Sequence, residues 1–289
     1  MDTSLLLTVL IDGVVLGLVY ALIGLGLSLV WSLMGILNFA HVNFLLIAVY
    51  LGIMVFSFVS NPIIAVVGSL VLLAVITLVV YRTLITPVFK FGLDAAMMNT
   101  FALSYFLVIT VLILAGPYYR SGVTLFPTDL QLHLPLDVTY SAYRVFAAAM
   151  AFLIVLGTML LIRKTMFGLA LKAAMQDTMA SVLMGIKLKR VTQWGFLLAI
   201  LLAGIAGLII APMYTVYPGM ADKFGPISFA VAVVGGLGNI EGVIPAGIII
   251  GLTETLGGTY ISSAYKDAFT YILLIAILLI RPRGLLGRK

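Results

Sequence analysis

The stretch GVVLGLVYALIGLGLSLVWSL, residues 13–33, contains no acidic or basic side chain. About 20 apolar residues in a helix cross the hydrocarbon core of a bilayer, so this stretch predicts a transmembrane helix. Asp12 precedes it and is predicted at the membrane interface, because a carboxylate at the bilayer centre costs about 3 kcal/mol. Gly13, Gly17 and Gly24 share roughly one helix face, which predicts that another helix approaches closely there.

Comparable apolar stretches follow along the rest of the chain. Further spans are predicted at residues 43–60, 63–81, 98–118, 143–162, 191–214 and 268–280, with two shorter apolar pieces at 227–237 and 243–258. Hydrophobic residues make up 63% of the 289 residues and charged residues 9%, whereas soluble domains carry about 25% charged residues. The chain is therefore predicted to be all-α: a polytopic transmembrane helical bundle with about eight membrane segments plus short broken or re-entrant helices, forming one domain over residues 1–289.

The basic residues predict the orientation of this bundle. Twelve of the 16 Lys and Arg residues lie in three segments, residues 82–94, 163–190 and 281–289. Because Lys and Arg are retained on the cytoplasmic side, these segments are predicted to be cytoplasmic, with the N-terminus outside and the C-terminus inside. The net charge of +6 then reflects membrane topology, so lipid is an expected partner and nucleic acid is not.

Two polar or glycine-rich breaks interrupt the apolar pattern, at residues 35–43 (GILNFAHVN) and 235–242 (GGLGNIEG). Short, interrupted hydrophobic segments are a sequence pointer to a transport site, and an acidic residue within an apolar stretch is a functional candidate. An ordinary cytoplasmic turn between two tilted helices is the alternative for the second break. The predicted translocation pathway comprises Asn38, Phe39, His41, Asn43, Gly235, Gly236, Gly238, Asn239, Glu241 and Glu254.

Catalytic and metal-binding patterns are absent from the sequence. It contains no G-x-x-x-x-G-K-[ST], H-E-x-x-H or G-x-S-x-G motif, so neither ATP hydrolysis nor another enzymatic activity is predicted for this chain. With no cysteine and two histidines, no metal site is expected. No cofactor is expected in this chain either.

The segment at residues 163–190, with six basic residues, has helical periodicity. Small residues occur along it, and Gly185 followed by Ile186 is typical of a helix stop. Such a short helix at the membrane surface could dock into a groove on a cytoplasmic partner. Alternatively, it is a basic amphipathic linker on anionic lipid.

Three blocks resemble a known family: YALIGLGLSLVWSLMGILNFAH (20–41), ALKAAMQDTMASVLMGI (170–186) and VVGGLGNIEGVIPAG (233–247). They are similar to the LivH-type permease subunits of ATP-driven importers for branched-chain amino acids. The resemblance implies a bacterial plasma (inner) membrane location and four partners: a second, LivM-like permease, two cytoplasmic ATPases that carry ATP and Mg, and an extracytoplasmic solute-binding protein. It also implies that the ATPase-coupling residues are Ala173, Ala174, Asp177, Ala180, Gly185 and Ile186.

One position departs from the resemblance. Val42 follows His41 where members of the family often have Gly or Ala. Related permeases handle urea, short amides and other small carboxylates, so these solutes are the alternative to branched-chain amino acids. A stand-alone secondary carrier is the alternative to an ATP-driven permease.

Overall fold

The computed structural model describes residues 3–134 and 138–287; Arg288 and Lys289, two of the twelve basic residues assigned to the cytoplasmic side, lie outside these ranges. Within these ranges, a two-stranded antiparallel hairpin, β1 Gln131–Leu134 and β2 Val138–Ser141, accompanies twelve α-helices. The helices are α1 Thr3–Met34, α2 His41–Val59, α3 Pro62–Val80, α4 Thr86–Val88, α5 Leu93–Ala115, α6 Ala142–Lys164, α7 Met166–Gln176, α8 Thr178–Leu183, α9 Leu188–Ile210, α10 Met220–Gly235, α11 Val243–Tyr260 and α12 Lys266–Ile280.

Within the described residues, eight helical segments are long and apolar enough to cross a membrane. They correspond to α1, α2, α3 with its continuation to Phe91, α5, α6, α9, α11 and α12. Helix α10 has 16 residues and is the shorter helix of the pair that precedes α12. The predicted all-α polytopic bundle is confirmed.

The two ends of the bundle differ in charge. At one end, Arg163 lies 2.5 Å from Glu241, Ser32 Oγ donates to the Gly238 carbonyl, and Leu285 N donates to the Val234 carbonyl. These contacts join the ends of α1, α6, α10 and α12, and we call this side the basic end, because the basic segments at residues 163–190 and 281–287 meet there. The opposite end contains the start of α6 and the hairpin.

Helix α1 lies at the centre of the bundle and contacts α6, α9, α10 and α11. A Cβ added to Gly17 would lie 2.6 Å from the Gly247 carbonyl oxygen, and one added to Gly13 would lie 2.7 Å from Thr255 Oγ1. A Cβ at Gly24 would likewise lie 2.7 Å from Val231 Cβ. The predicted close approach is confirmed, because only glycine lets α11 and α10 pack this tightly against α1.

Asp12 marks the level of the opposite end on α1. Its Oδ1 accepts from Arg144 Nη1 at 2.5 Å and from the Tyr140 hydroxyl at 2.7 Å. Burial, and then the Asp12 carboxylate, raise the pKa of Tyr140, so its phenol keeps its proton and donates. Helix α1 begins earlier than predicted, at Thr3, so Asp12 lies within the helix, and its position at the membrane interface stays a prediction.

The hairpin is a feature that the sequence analysis did not predict. Its register pairs Leu132 with Tyr140 and His133 with Thr139. Alternating polar and apolar residues favour such strands, but the run is only four residues long on each side, below the length that gives a clear signal.

Candidate functional site

The chain turns back into the bundle after α1. His41, seven residues beyond Met34, places Nε2 3.2 Å from the carbonyl oxygen of Ile23. Ile23 is the central residue of the apolar stretch 13–33, so this contact lies at the middle of the predicted span. Residues 35–40 therefore form a re-entrant segment, and α2 begins at mid-depth.

Polar contacts with α5 hold this re-entrant segment in place. Thr100 Oγ1 lies 3.3 Å from both the Phe39 backbone N and the Leu37 carbonyl oxygen, and it also donates to the Met97 carbonyl. Asn43 Nδ2 donates to Ser104 Oγ at 2.6 Å. These bonds satisfy backbone groups that would otherwise be orphaned inside the membrane, where irregular backbone is tolerated only if protein buries it or it lines a cavity.

Gly26 makes room for the His41 ring. A Cβ at this position would lie 2.6 Å from His41 Cε1 and 2.6 Å from the Ala199 carbonyl oxygen. Since the Ala199 atom belongs to the backbone of α9, it cannot move aside cheaply. The absence of a side chain at Gly26 thus lets α1, α9 and the histidine meet at one point.

A cavity of about 340 Å³ adjoins the re-entrant segment, and we call it the central cavity. Helix α10 supplies its second wall, where Pro226 lies inside the continuous helix and lacks a backbone donor. Ser228 Oγ in turn donates to the Gly225 carbonyl at 2.7 Å. The central cavity is lined by Leu27, Leu37, Asn38, Phe39, His41, Val42, Gly225, Pro226, Ser228 and Phe229.

Two buried polar atoms beside the central cavity lack a hydrogen-bond partner in the described part of the chain. They are Asn38 Nδ2 and His41 Nδ1, and the two residues are 3% and 1% exposed. An unsatisfied polar atom costs about 1–3 kcal/mol when buried. Such atoms beside a cavity are therefore candidates for contact with a ligand.

The second predicted break, residues 235–242, lies elsewhere. It is a turn that joins α10 to the antiparallel α11 at the basic end. This matches the alternative given above, an ordinary turn between two helices. Gly236 and Gly238 adopt positive φ angles of 97° and 84°, and Asn239 Nδ2 donates to the Leu286 carbonyl at 2.6 Å. Gly238, Asn239 and Glu241 line a separate cavity of about 480 Å³ that also includes Trp31 and Lys172.

Glu254 lies in neither of these cavities. It is fully buried in α11, where its Oε1 accepts from the Tyr20 hydroxyl and lies 3.2 Å from Lys266 Nζ. The pair explains how a carboxylate is accommodated at this depth, because a buried charge needs a partner. The ten predicted pathway residues thus fall into three places, and only Asn38, Phe39 and His41 line the central cavity.

The basic end also carries the predicted coupling residues. Asp177 caps α8 by accepting from Ala180 N at 2.9 Å, and Ala180 is exposed. Gly185 follows α8 with a positive φ of 81°, and Ile186 N donates to the Ser181 carbonyl. This arrangement ends a helix, so the predicted helix stop is confirmed. Ala173 and Ala174 lie on α7; Ala174 is buried, and Ala173 and Ile186 are partly buried.

Four apolar side chains at α8 are exposed. Met179, Leu183 and Met184 are 76%, 82% and 83% exposed, and Val182 is also exposed. Lone exposed apolar residues are ordinary, but a contiguous group marks an interaction surface. We call these four residues the α8 surface.

The α10 wall of the central cavity was not predicted from the sequence. Its signal was available: Pro226 lies inside an otherwise helical apolar run, and proline there marks a kink or break. Tyr20 and Lys266, the partners of Glu254, had no comparable signal, since they are distant from it in sequence or belong to another helix.

Comparisons with known proteins agree with this architecture. The family described as "Branched-chain amino acid transport system / permease component" matches residues 9–278. The Escherichia coli (strain K12) protein named high-affinity branched-chain amino acid transport system permease protein LivH is 29% identical, covering 96% of this chain and 94% of its own. The Pseudomonas aeruginosa protein BraD, which bears the same descriptive name, is 27% identical, covering 96% and 95%.

A further relative and a solved structure extend the comparison. A probable branched-chain amino acid transport permease protein LivH of Methanocaldococcus jannaschii is 28% identical over 92% of this chain and 88% of its own. The structure of PsaBC from Streptococcus pneumoniae in complex with Fab covers 96% of this chain and 92% of that chain, with a TM-score of 0.51 and 15% identity. At that identity the structural likeness concerns the fold alone.

Proposed function

Because this chain belongs to the family of permease components of branched-chain amino acid transport systems, we propose that it is the membrane permease subunit of an ATP-binding-cassette importer for these amino acids. The observation that carries the proposal is the re-entrant segment, which brings Asn38, Phe39 and His41 to a cavity at mid-depth in an otherwise apolar bundle. Such a site suits a solute that crosses the bilayer without covalent chemistry.

The charge distribution supports an orientation for this permease. Twelve of the 16 Lys and Arg residues belong to the three segments assigned to the cytoplasm, and the four others are Arg120, Arg144, Lys223 and Lys266. The basic end then faces the cytoplasm and the hairpin faces outward. The N-terminus is outside, the C-terminus is cytoplasmic, and the membrane is the bacterial plasma (inner) membrane.

The energy source lies on other subunits in this proposal. The sequence has no Walker-type phosphate loop, so two cytoplasmic ATPases bind ATP and Mg, and one of them docks on the α8 surface of this chain. A second, LivM-like permease completes the membrane part, and an extracytoplasmic solute-binding protein delivers the amino acid at the opposite end. This chain contributes no enzymatic step and no cofactor of its own.

The short path from the α8 surface to the central cavity supports coupling between them. Helix α8 is joined through α7 to α6, and Arg163 at the end of α6 pairs with Glu241. Glu241 lies in the turn between α10 and α11, and the first half of α10 lines the central cavity. Movement of α8 by the ATPase can thus tilt α10 and change the access of solute to the central cavity. This coupling requires that ATP and solute each bind the two states of the pore with different affinity.

Uptake into proteoliposomes tests the proposal. The chain, its candidate second permease and the ATPases are reconstituted, and the solute-binding protein is added with radiolabelled L-leucine. We expect uptake that requires ATP and every component. Uptake by this chain alone, driven by an ion gradient, would instead identify a secondary carrier. ATP-dependent uptake of urea but not of leucine would reject branched-chain amino acids as the substrate.

A further inference from the structure

Asn38 and His41 present one free donor and one free acceptor beside the central cavity. Asn38 Oδ1 accepts from Ala40 N at 3.1 Å, so the side chain's other atom is the amide nitrogen, a donor. The carbonyl oxygen of Ile23 can only accept, so His41 Nε2 carries the proton in this contact. In the neutral ring that an apolar site favours, Nδ1 is then an acceptor.

The start of α2 adds a second feature for recognising a negative group. This helix has 19 residues and begins at His41, beside the central cavity. His41 N and Asn43 N already donate to the Asn38 and Ala40 carbonyls, so it is the helix dipole that favours an anion at this end. Asn38 Nδ2 lies in the turn that leads into the same helix end, so a carboxylate could meet both.

The rest of the central cavity is apolar. Leu27, Leu37, Val42, Pro226 and Phe229 supply most of its remaining wall, and none of the described residues that line it has a charged side chain. An ion with net charge would be desolvated there without a counter-charge, which is costly. The lining therefore favours a ligand that is neutral overall and has an apolar part.

We propose that the central cavity is a binding site for a zwitterionic α-amino acid with a branched apolar side chain. The carboxylate lies at the start of α2 and accepts from Asn38 Nδ2, the ammonium donates to His41 Nδ1, and the side chain packs against the apolar wall. This inference rests on the proposed function; it adds where the amino acid binds and in which charge state. It separates amino acids from urea, short amides and carboxylates that lack an ammonium group.

Gly225 and Val42 limit the size of the ligand in this proposal. Both line the cavity, and a Cβ added to Gly225 would contact only Val42 Cγ2, at 3.6 Å, an ordinary van der Waals distance. Gly225→Ala therefore adds a methyl group to the wall without a clash. The smaller cavity should shift the preference from leucine towards valine.

Direct binding to the permease complex in nanodiscs, without the solute-binding protein, tests the site. The ligands are L-leucine, L-valine, 4-methylpentanoate, which lacks the ammonium group, and isopentylamine, which lacks the carboxylate; affinities are measured by calorimetry. The variants are Asn38→Asp, which keeps the acceptor for Ala40 N but repels a carboxylate, and Gly225→Ala. Gly157→Ala is the control, because nothing lies within 4 Å of a Cβ there.

We expect L-leucine to bind at least tenfold more tightly than either analogue. Asn38→Asp should lose at least tenfold in leucine affinity, Gly225→Ala should shift the leucine-to-valine ratio at least threefold, and Gly157→Ala should match the wild type. Three results would overturn the inference while leaving the proposed function intact. They are equal affinity for 4-methylpentanoate and L-leucine, an unchanged leucine-to-valine affinity ratio in Gly225→Ala, and no leucine binding by a complex that performs ATP-dependent leucine uptake. If the wild-type complex showed no ATP-dependent leucine uptake, the proposed function itself would be overturned.

Discussion

Gly17→Val is expected to lower the stability of the protein by about 3 kcal/mol, at the upper end of the usual cost of overpacking. A Cβ at Gly17 would lie 2.6 Å from both the Gly247 carbonyl oxygen and Ile248 Cα. Both atoms belong to the backbone of α11, so no side chain can rotate away, and α1 and α11 must separate. Since α1 also contacts α6, α9 and α10, the separation would disturb the centre of the bundle.

Thermal unfolding of the purified protein, followed by size-exclusion chromatography, measures this effect. Gly157→Val in α6 is the matched control, because it makes the same substitution at an exposed glycine with no atom within 4 Å of the added Cβ. If Gly17→Val were as stable as Gly157→Val, the close α1–α11 packing would not hold in the protein.

Leu183→Asp is expected to reduce ATP-dependent uptake at least tenfold and leave thermal stability unchanged. Leu183 is 82% exposed on the α8 surface, so a charge there costs the isolated chain little. In the assembled importer, however, the carboxylate would be buried against the ATPase. A loss of 1.4 kcal/mol in docking corresponds to the tenfold effect.

Uptake and ATPase pull-down measured together test this second expectation. Leu183→Met keeps an apolar side chain of similar volume and should retain near wild-type uptake and ATPase binding. Wild-type uptake by Leu183→Asp would reject the α8 surface as the docking site. A loss of uptake that is explained entirely by unfolding would contradict the expected stability of Leu183→Asp.

The fold was predictable because its signal is local. An apolar run such as residues 13–33 needs only its length and composition to be recognised as a membrane helix. The glycine face of α1 was equally visible, since Gly13, Gly17 and Gly24 recur at helical spacing. Helix ends were less predictable: α1 extends to Thr3, where neither a cap nor a charge marks the boundary.

The candidate site was predictable only in part, because it is assembled across helices. The break at residues 35–40 was recognisable from Asn38 and His41 in an apolar setting, but the depth of His41 depends on its contact with Ile23. The glycine turn at residues 235–242 gave a similar signal, yet it lies at the basic end, since a broken apolar pattern does not encode depth. Likewise, the burial of Ala174 and the exposure of Leu183 follow from packing around α7 and α8.

Cysteine accessibility in the central cavity tests most directly whether this cavity is on the solute's path. The natural chain has no cysteine, so Ser228→Cys in the cavity and Gly157→Cys on the outer face of α6 each provide a single thiol. In the reconstituted complex, we predict that 2-aminoethyl methanethiosulfonate modifies Ser228→Cys at a rate that changes with ATP and falls at least threefold with L-leucine. The rate at Gly157→Cys should respond to neither. A Ser228→Cys thiol that is unreactive in every nucleotide state, or whose rate is indifferent to leucine, would contradict a translocation path through the central cavity.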